Sequence, residues 1–279
     1  MRRAVPGSIN PVPVFAISDL HVAAPENRDI VSRLRPESAD DWLIVAGDVA
    51  ERVSDVEWAL STLRERYAKV IWAPGNHELW TVSSDPVQLR GVDRYEHLVS
   101  LCRSLDVLTP EDPYAVYAGR VAIAPLFLLY DYTFRPAGLT QAQALEQAYS
   151  AGIVCRDEFV LHPDPYPSRE AWCQARVKST EARLSALDSS LRTVLVNHFP
   201  MVVEPTKVLR YPEFSIWCGT AQTADWHIRF RAETVVYGHL HIPRTLHADG
   251  VVFEEVSLGY PREWQARSRP AGVPKLILA

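Results

Sequence analysis

The sequence contains no pair of cysteines at the spacing that binds zinc or supports thiol–disulfide exchange. Its four cysteines are Cys102, Cys155, Cys173 and Cys218, and no two of them form a C-x-x-C motif. This spacing argues against both a zinc ribbon and a redox pair. We expect the four side chains to be reduced thiols that are mostly buried.

A surplus of positive charge is also missing. The chain has 29 lysines and arginines against 34 aspartates and glutamates, and its formal net charge is -5 at pH 7. Proteins that wrap nucleic acid or coat an anionic membrane normally have a basic surplus, because they must neutralise phosphates. We therefore expect no nucleic acid as a partner, although this composition is compatible with local basic patches.

Long apolar runs are absent as well. No stretch approaches the roughly 18 apolar residues of a membrane span. Arg2 and Arg3 open the chain, but Pro6, Gly7 and Pro11 interrupt the residues that follow, so no apolar core of a signal peptide is present. The expectations are no membrane partner and a cytoplasmic location.

Short apolar runs rich in β-branched residues do recur, and each predicts a buried strand. They cover residues 12–17, 42–46, 70–73, 121–124, 193–196, 234–237 and 251–256. Helical patterns lie between them. The spacing of a capping box predicts helix starts at Ser54 and Asp93, and an apolar stripe predicts the longest helix over about 168–191.

The 279 residues, of which 47% are hydrophobic, are enough for one α/β domain with a sizeable core. We expect a single domain over residues 1–279, with its core at about 12–264 and short tails at both ends. The stretch after Trp264 is rich in Arg, Pro and Gly, and is expected to be the most loosely ordered.

Five of the predicted strands run into a cluster of Gly, Asp, Asn or His residues. The clusters are Asp19-Leu20-His21, Gly47-Asp48, Gly75-Asn76-His77-Glu78, Asn197-His198 and Gly238-His239-Leu240-His241. In open α/β sheets ligands bind beyond the carboxyl ends of the strands, so these loops should converge on one crevice. Carboxylate, amide oxygen and imidazole together suit divalent Mn, Fe or Zn better than calcium.

Taken one at a time, these residues have ordinary explanations. An isolated histidine such as His198 is more often a core or surface residue than a ligand, and Asp19 alone is compatible with a helix cap. A Gly-Asn-His-(Asp/Glu) string is expected by chance roughly once in several hundred sequences of this length. Its combination, in order, with D-x-H, G-D and G-H-x-H favours a metal site.

Together these blocks resemble the calcineurin-like metallophosphoesterase superfamily, whose signature they reproduce from the first block to the last. The resemblance implies an α/β/β/α sandwich with a binuclear metal site at the C-terminal ends of the strands. By the same resemblance, one ion takes Asp19, His21, Asp48 and His241, and the other takes Asp48, Asn76, His198 and His239. His77 binds neither ion and is the expected catalytic residue, as a proton donor or a stabiliser of the transition state.

The ligand set alone does not identify the substrate. A phosphatase, a phosphodiesterase that acts on a small nucleotide and a nuclease can all use such a site. The negative net charge of the chain disfavours a nuclease, which should have a positively charged groove with interleaved aromatic residues. A non-catalytic scaffold is disfavoured because it would be expected to lose ligands or the histidine beside the asparagine.

Stretches outside the metal blocks are similar to one bacterial branch of the superfamily, the phosphopantetheinyl hydrolases. These stretches are residues 42–52, 127–132, 211–220, 241–245 and 259–264. The resemblance implies a hydrolase that removes 4′-phosphopantetheine from holo acyl carrier protein and regenerates the apo form. Its expected metals are Mn and/or Fe, with Zn as an alternative, and holo acyl carrier protein is its expected partner.

Carrier proteins are acidic, so docking calls for a basic rim beside the cleft. The candidate substrate-binding residues are Tyr130, Lys207, Arg210, Tyr211, Arg244 and Arg262. The four cations lie in segments that flank His198, His239 and His241. The alternative for the cations is an ordinary solvated face, and for the tyrosines a place in the core or the cleft wall.

Overall fold

The computed structural model describes residues 12–268 and 270–279. The strands are β1 (Val14–Ile17), β2 (Trp42–Ala46), β3 (Lys69–Ala73), β4 (Val107–Leu108), β5 (Ala115–Tyr117), β6 (Val121–Pro125), β7 (Arg192–Val196), β8 (Ala232–Tyr237), β9 (Arg244–Ala248), β10 (Val251–Glu255) and β11 (Lys275–Leu278). The helices are α1 (Pro25–Arg33), α2 (Val53–Arg64), α3 (Gly91–Ser104), α4 (Gln141–Ser150), α5 (Asp157–Val160), α6 (Arg169–Ser185), α7 (Trp226–Arg229) and α8 (Pro261–Trp264). Short 3₁₀ turns cover His77–Leu79, Glu204–Val208, Pro212–Trp217 and Ala221–Thr223. Most of the expected N-terminal tail, residues 1–11, lies outside the described residues.

The described strands form two sheets. The first has the order β11-β1-β2-β3-β4 and the second has the order β5-β6-β7-β8-β10-β9. The inner strands pair in parallel, whereas β11, β5 and β9 pair antiparallel with their neighbours. Parallel strands direct all their carboxyl ends to one edge of the sheet, so the loops that follow them can share a crevice.

Alternate residues along the strands pack into two different apolar layers. On β2, Ile44 and Ala46 belong to the layer between the sheets, together with Val194 of β7. The intervening Leu43 and Val45 belong to the larger cluster that includes the buried faces of α1, α2 and α3. A strand that is apolar on both faces needs cover on both sides. The two layers confirm the predicted α/β/β/α sandwich.

All seven predicted strands are present, with ends that differ by at most two residues. The sequence patterns missed β4, β5, β9 and β11, which are the four edge strands of the two sheets. The burial of β9 and β11 is mixed, with exposed positions on both strands. An edge strand is partly solvated and therefore does not show the continuous apolar run of a central strand.

The predicted helices are also present, but two of their predicted starts are wrong. Neither Ser54 nor Asp93 caps a helix, and α2 and α3 begin without a side-chain cap from their own sequence. Distant groups accept from the first turns instead: the Asp85 carboxylate accepts from the Val53 amide at 3.1 Å, and the Asp164 carbonyl accepts from the Val92 amide at 2.8 Å. Free amides at a helix start need an acceptor, and here the tertiary structure supplies it.

The longest helix, α6, starts as predicted, because the Ser168 hydroxyl accepts from the Ala171 amide at 3.2 Å. It ends at Ser185 rather than near residue 191. Beyond it, the Asp188 carboxylate accepts from the Ser190 amide at 2.8 Å and closes a turn. Such local side-chain bonds compete with the helix.

The C-terminal stretch differs from its expectation. Residues 275–278 form β11, which pairs antiparallel with β1 and buries Leu278. The expectation of a loosely ordered end is therefore wrong for this strand. All four cysteines are buried and free of disulfides, as expected. No helix in the described ranges combines the length and the apolar character that a membrane crossing requires.

Candidate metal centre

The predicted ligands come together at the carboxyl ends of five strands from both sheets. Asp19 and His21 follow β1, Asp48 follows β2, Asn76 follows β3, His198 follows β7, and His239 and His241 follow β8. The two sheets meet at this edge, where the Ser18 amide donates to the Val256 carbonyl at 3.1 Å. The convergence that the strand-end clusters indicated is therefore present.

Most of these ligands sit on strained backbone. The φ angles of Asp19, His21, Asp48, His239 and His241 are 52°, 41°, 55°, 69° and 54°. Non-glycine residues rarely adopt the left-handed region, which costs about 1–3 kcal/mol for each residue, and such strain clusters at functional sites. The sharp turns redirect the chain at the strand ends, where the ligand side chains gather.

Two glycines let neighbouring loops approach the carboxylates. A Cβ atom at Gly75 would overlap Asp48 Oδ1, and one at Gly238 would overlap Asp19 Oδ2. Any larger residue at either position would displace a carboxylate. This close approach explains why glycine precedes Asn76 and His239 in the sequence blocks.

The first expected ligand set is closely grouped. The His241 Nε2 atom lies 3.0 Å from Asp19 Oδ1 and 3.1 Å from His21 Nε2. One ligand atom from each of these three residues lies within 4.8 Å of the others. Two imidazole nitrogens and a carboxylate oxygen that face one another suit a shared cation.

The second expected set is grouped in the same way. The His198 Nε2 atom lies 3.3 Å from Asp48 Oδ2 and 3.2 Å from Asn76 Oδ1. His239 joins Asp48 and His198 within 4.8 Å, and its Nε2 atom is buried without a hydrogen-bond partner in the described part of the chain. Buried polar atoms are normally satisfied, so this nitrogen fits a metal ligand.

Asp48 lies between the two sets. Its Oδ2 atom is 3.3 Å from His198 Nε2 and 3.9 Å from His21 Nε2. Its Oδ1 atom accepts from the His77 amide at 3.0 Å. The position fits the bridging role that the family resemblance implied.

The electrostatics of the site favour bound cations. Burial lowers the pKa of His198, but the charges of Asp48 and Asp19 outweigh it and raise that pKa to about 10. Burial likewise lowers the pKa of His241, and Asp19 raises it to about 10. Burial lowers the pKa of His239 to about 3. The carboxylates therefore favour a positive charge beside them, which a protonated imidazole provides when no metal is bound. An imidazole must lose its proton to bind metal, and a divalent cation can then supply that positive charge.

Second-layer contacts orient the ligands. The Glu263 carboxylate lies 2.7 Å from His241 Nδ1, and the Ala46 carbonyl lies 2.9 Å from His198 Nδ1. The Ser257 hydroxyl donates to Asp19 Oδ2 at 2.7 Å. Such partners fix the rings with Nε2 toward the centre and tune the metal site. No sequence pattern indicated Glu263 or Ser257, because neither belongs to a strand-end cluster with a metal-ligand pattern.

Glu78 holds two of the metal loops together. Its carboxylate is fully buried and accepts from the amides of Asp48 at 3.0 Å, Val49 at 3.1 Å and Gly75 at 3.2 Å. Burial and the nearby charge of Asp48 raise the pKa of Glu78 to about 7. Through these three contacts Glu78 fixes the backbone of both loops.

His77 lies beside the ligands and is oriented by two contacts. Its Nδ1 atom is 2.9 Å from the Glu51 carboxylate, and its ring stacks on Trp80 with centroids 3.7 Å apart. Its Nε2 atom is 3.7 Å from Asp48 Oδ2. Burial lowers the pKa of His77, but Asp48 and Glu51 raise it above its usual value. Glu51 was not predicted to be a site residue, although it lies only three residues after Asp48.

Asp157 is a further residue that no sequence pattern indicated. It begins the short helix α5 and is fully buried. Its Oδ1 atom accepts from Asn76 Nδ2 at 2.9 Å and from Trp80 Nε1 at 2.6 Å. The first contact turns the Asn76 amide so that its oxygen faces His198. Asp157 therefore orients Asn76, one of the predicted ligands.

We expect Asp157→Leu to weaken metal binding by about 10- to 100-fold, the usual cost of losing a second-layer partner. The amide of Asn76 and the indole of Trp80 would both lose their acceptor. Asp157→Asn keeps one side-chain oxygen and should restore most of the affinity. A competitive chelator titration measures the effect, with thermal unfolding as the folding control. Equal affinities for Asp157→Leu and the unmodified protein would contradict this role.

Four of the predicted ligands, Asp48, Asn76, His239 and His241, line a cleft of about 560 Å³ together with His77. Of the predicted substrate-binding residues, Arg210, Tyr211 and Arg262 line this cleft and are exposed. Arg156, which no sequence pattern indicated, lines it as well. The cleft volume is within the roughly 300–1,000 Å³ of small-molecule sites.

The other three predicted substrate contacts lie elsewhere. Tyr130 is fully buried and packs against Tyr132 and Phe199, so the prediction of a substrate contact is wrong and its alternative as a core residue is right. Lys207 is exposed 3.3 Å from Glu204 and does not line the cleft. Arg244 begins β9 and lines a different cavity. Proximity in sequence to the ligands did not bring these side chains to the site.

The sequence model of the calcineurin-like phosphoesterases matches residues 12–243. The chain therefore belongs to the calcineurin-like phosphoesterase family, whose members use a binuclear metal site. The grouped carboxylates and imidazoles described above supply candidate ligands for such a site.

Within this family, the chain is similar to the acyl-carrier-protein phosphodiesterase PptH of Mycobacterium tuberculosis. The two are 55% identical over 258 residues, which cover 91% of this chain and 80% of that protein. The crystal structure of phosphopantetheinyl hydrolase (PptH) from Mycobacterium tuberculosis matches with a TM-score of 0.93 and 52% identity, over 96% of each chain. These similarities confirm the branch that the sequence stretches indicated.

Proposed function

We propose that this protein is a binuclear metal-dependent phosphodiesterase that removes the 4′-phosphopantetheine arm from holo acyl carrier protein and leaves the apo form. The observation that carries the proposal is 55% identity to an acyl-carrier-protein phosphodiesterase over 91% of the chain. The grouping of the expected ligands supports it.

The proposed ligands of one ion are Asp19, His21, Asp48 and His241, and those of the other are Asp48, Asn76, His198 and His239. Their imidazole, carboxylate and amide donors suit Mn and/or Fe, and also Zn. When bound, the ions supply Lewis-acid activation of the phosphodiester and of the attacking water. Because these ligands come from both sheets, we infer that the two sheets form one catalytic domain.

His77 is the proposed catalytic residue. Glu51 holds its Nδ1 atom, and its Nε2 atom faces Asp48 at the edge of the ligand sets. In this position the imidazole can donate a proton to the serine oxygen of the carrier as the phosphodiester bond breaks. Trp80 covers one face of the ring and limits its movement.

The cleft walls suit the arm of the proposed substrate. Ile153, Leu209, Phe214 and Ile242 line the cleft beside the polar ligands. A pantetheine arm is a long chain with apolar segments and amides, which such a wall can bury while the phosphodiester meets the polar floor. Arg210, Tyr211 and Arg262 are the proposed substrate contacts at the cleft mouth.

The test is an intact-mass measurement of holo acyl carrier protein after incubation with protein that has been loaded with Mn, Fe or Zn. We expect the carrier mass to fall by one phosphopantetheine group, and a chelator to prevent the change. Parallel reactions contain bis-nitrophenyl phosphate and cyclic nucleotides. An unchanged carrier mass together with cleavage of a cyclic nucleotide would favour the alternative of a small-nucleotide phosphodiesterase.

A further inference from the structure

Three arginines at the cleft mouth stand apart from most other cations of the chain. Arg156, Arg210 and Arg262 line the cleft and are exposed, and within the described ranges none of them has an ion pair or a side-chain hydrogen bond. Elsewhere arginines are commonly paired, as in the contacts of Arg94 with Asp85 at 2.9 Å and Arg176 with Glu111 at 2.7 Å. We call the three residues the arginine rim.

Each arginine of the rim lies beside an aromatic ring. The guanidinium carbons of Arg156, Arg210 and Arg262 lie 5.1, 5.4 and 5.7 Å from the ring centroids of Trp80, Tyr211 and Tyr260. A cation within about 6 Å of an aromatic face is attracted to it. This contact leaves the guanidinium N–H groups free to meet carboxylates on a ligand.

The arginine rim is drawn from three separate segments. Arg156 immediately precedes α5, Arg210 lies between two 3₁₀ turns, and Arg262 is in α8. Because the whole chain has a formal net charge of -5, three unpaired cations around one opening form a local positive patch on an acidic protein. A phosphodiester carries one negative charge, whereas an acidic protein surface presents several. The three positive charges of the rim therefore match the several negative charges of an acidic protein better than the single charge of the phosphodiester.

Exposed apolar side chains accompany the cations. Val154 and Tyr211 line the cleft and are 55% and 50% exposed. Arginine, tyrosine and apolar residues around a recess are the composition of a protein interface, in which arginine and aromatic residues contribute most of the affinity.

Building on the proposed function, we propose that the arginine rim, with Val154 and Tyr211, is the surface on which the acidic body of the carrier protein docks. It gives the enzyme its preference for a carrier-bound arm over a small phosphodiester. Arg156 stacks on Trp80, the ring that also contacts His77. Docking there places the carrier serine close to the proposed proton donor.

The test compares two substrates in one triple variant, Arg156→Gln, Arg210→Gln and Arg262→Gln. For holo acyl carrier protein we expect kcat/KM to fall about 10- to 100-fold, mainly through a higher KM, because rim charges act on association. Turnover of bis-nitrophenyl phosphate should fall much less than turnover of the carrier, because that substrate lacks the acidic protein surface that the rim binds. Added salt should weaken carrier turnover in the unmodified protein more than in the variant.

Lys178→Gln is the matched control, because Lys178 is an exposed cation of α6 that does not line the cleft. It should behave as the unmodified protein with both substrates. An unchanged carrier KM in the triple variant would overturn the docking surface and leave the proposed function intact. Equal losses for both substrates would also overturn it, because the rim would then act on the phosphodiester. No change of carrier mass with the unmodified protein is a separate result, which overturns the proposed function and the docking surface with it.

Discussion

Asp48→Ala is expected to lower kcat/KM for any phosphodiester by more than about a thousandfold, a loss of about 4 kcal/mol in transition-state stabilisation. The reason is the position of the carboxylate, whose Oδ2 atom lies 3.3 Å from His198 Nε2 and 3.9 Å from His21 Nε2. Its loss removes a donor from both ligand sets at once. Elemental analysis should show fewer ions in the purified variant than the two that we expect in the unmodified protein.

Asp48→Asn separates charge from structure. The amide oxygen can still accept from the His77 amide, as Asp48 Oδ1 does at 3.0 Å, but the negative charge is gone. We expect metal affinity and turnover to fall here too, while thermal unfolding of the metal-free protein changes little. Two tightly bound ions and normal turnover in Asp48→Ala would show that Asp48 does not bridge the sets.

His77→Ala is expected to keep both ions and to lose at least about a hundredfold in kcat with holo acyl carrier protein, the usual scale for a general acid or base. The loss should be smaller with bis-nitrophenyl phosphate, because a nitrophenolate leaves without a proton whereas the serine oxygen of a carrier needs one. The measurement is kcat for both substrates beside the metal content of each preparation.

Glu51→Gln is the matched variant for this prediction. Glutamine can still contact His77 Nδ1, which lies 2.9 Å from the Glu51 carboxylate, but it lacks the charge that raises the pKa of His77. We expect a smaller loss than in His77→Ala. Full activity of His77→Ala on the carrier would reject the proton donor. Loss of one ion in that variant would instead make His77 a ligand, since it lies near both Asp48 and His21.

Much of the fold followed from local patterns. The central strands are apolar on both faces, and this is why all seven runs were recognised. The edge strands and the helix starts were not predicted as well, because their stabilising partners are distant in the chain. For example, Asp85 accepts from the first turn of α2, across 32 residues, and β11 pairs with β1 from the other end of the described chain.

The residues of the candidate site likewise include some that the sequence predicted and others that only the structure revealed. The proposed metal ligands stand directly after strands, so their residue types and spacing could be recognised in the sequence. Asp157 and Arg156 belong to the connection between α4 and α6 and come next to Asn76 and Trp80 only in the folded chain. No local pattern marks them.

The sequence by itself predicted the family and the metal ligands, because a metal site built on strand ends leaves short, ordered motifs. Stretches outside these motifs indicated the substrate that we propose. Only the tertiary structure decided which polar residues orient those ligands, which cations reach the cleft, and that Tyr130 is in the core. The burial of a side chain, its hydrogen-bond partners and the presence of an ion-pair partner all depend on segments that are far apart along the chain. They become defined only when the two sheets pack together and bring those segments to one edge.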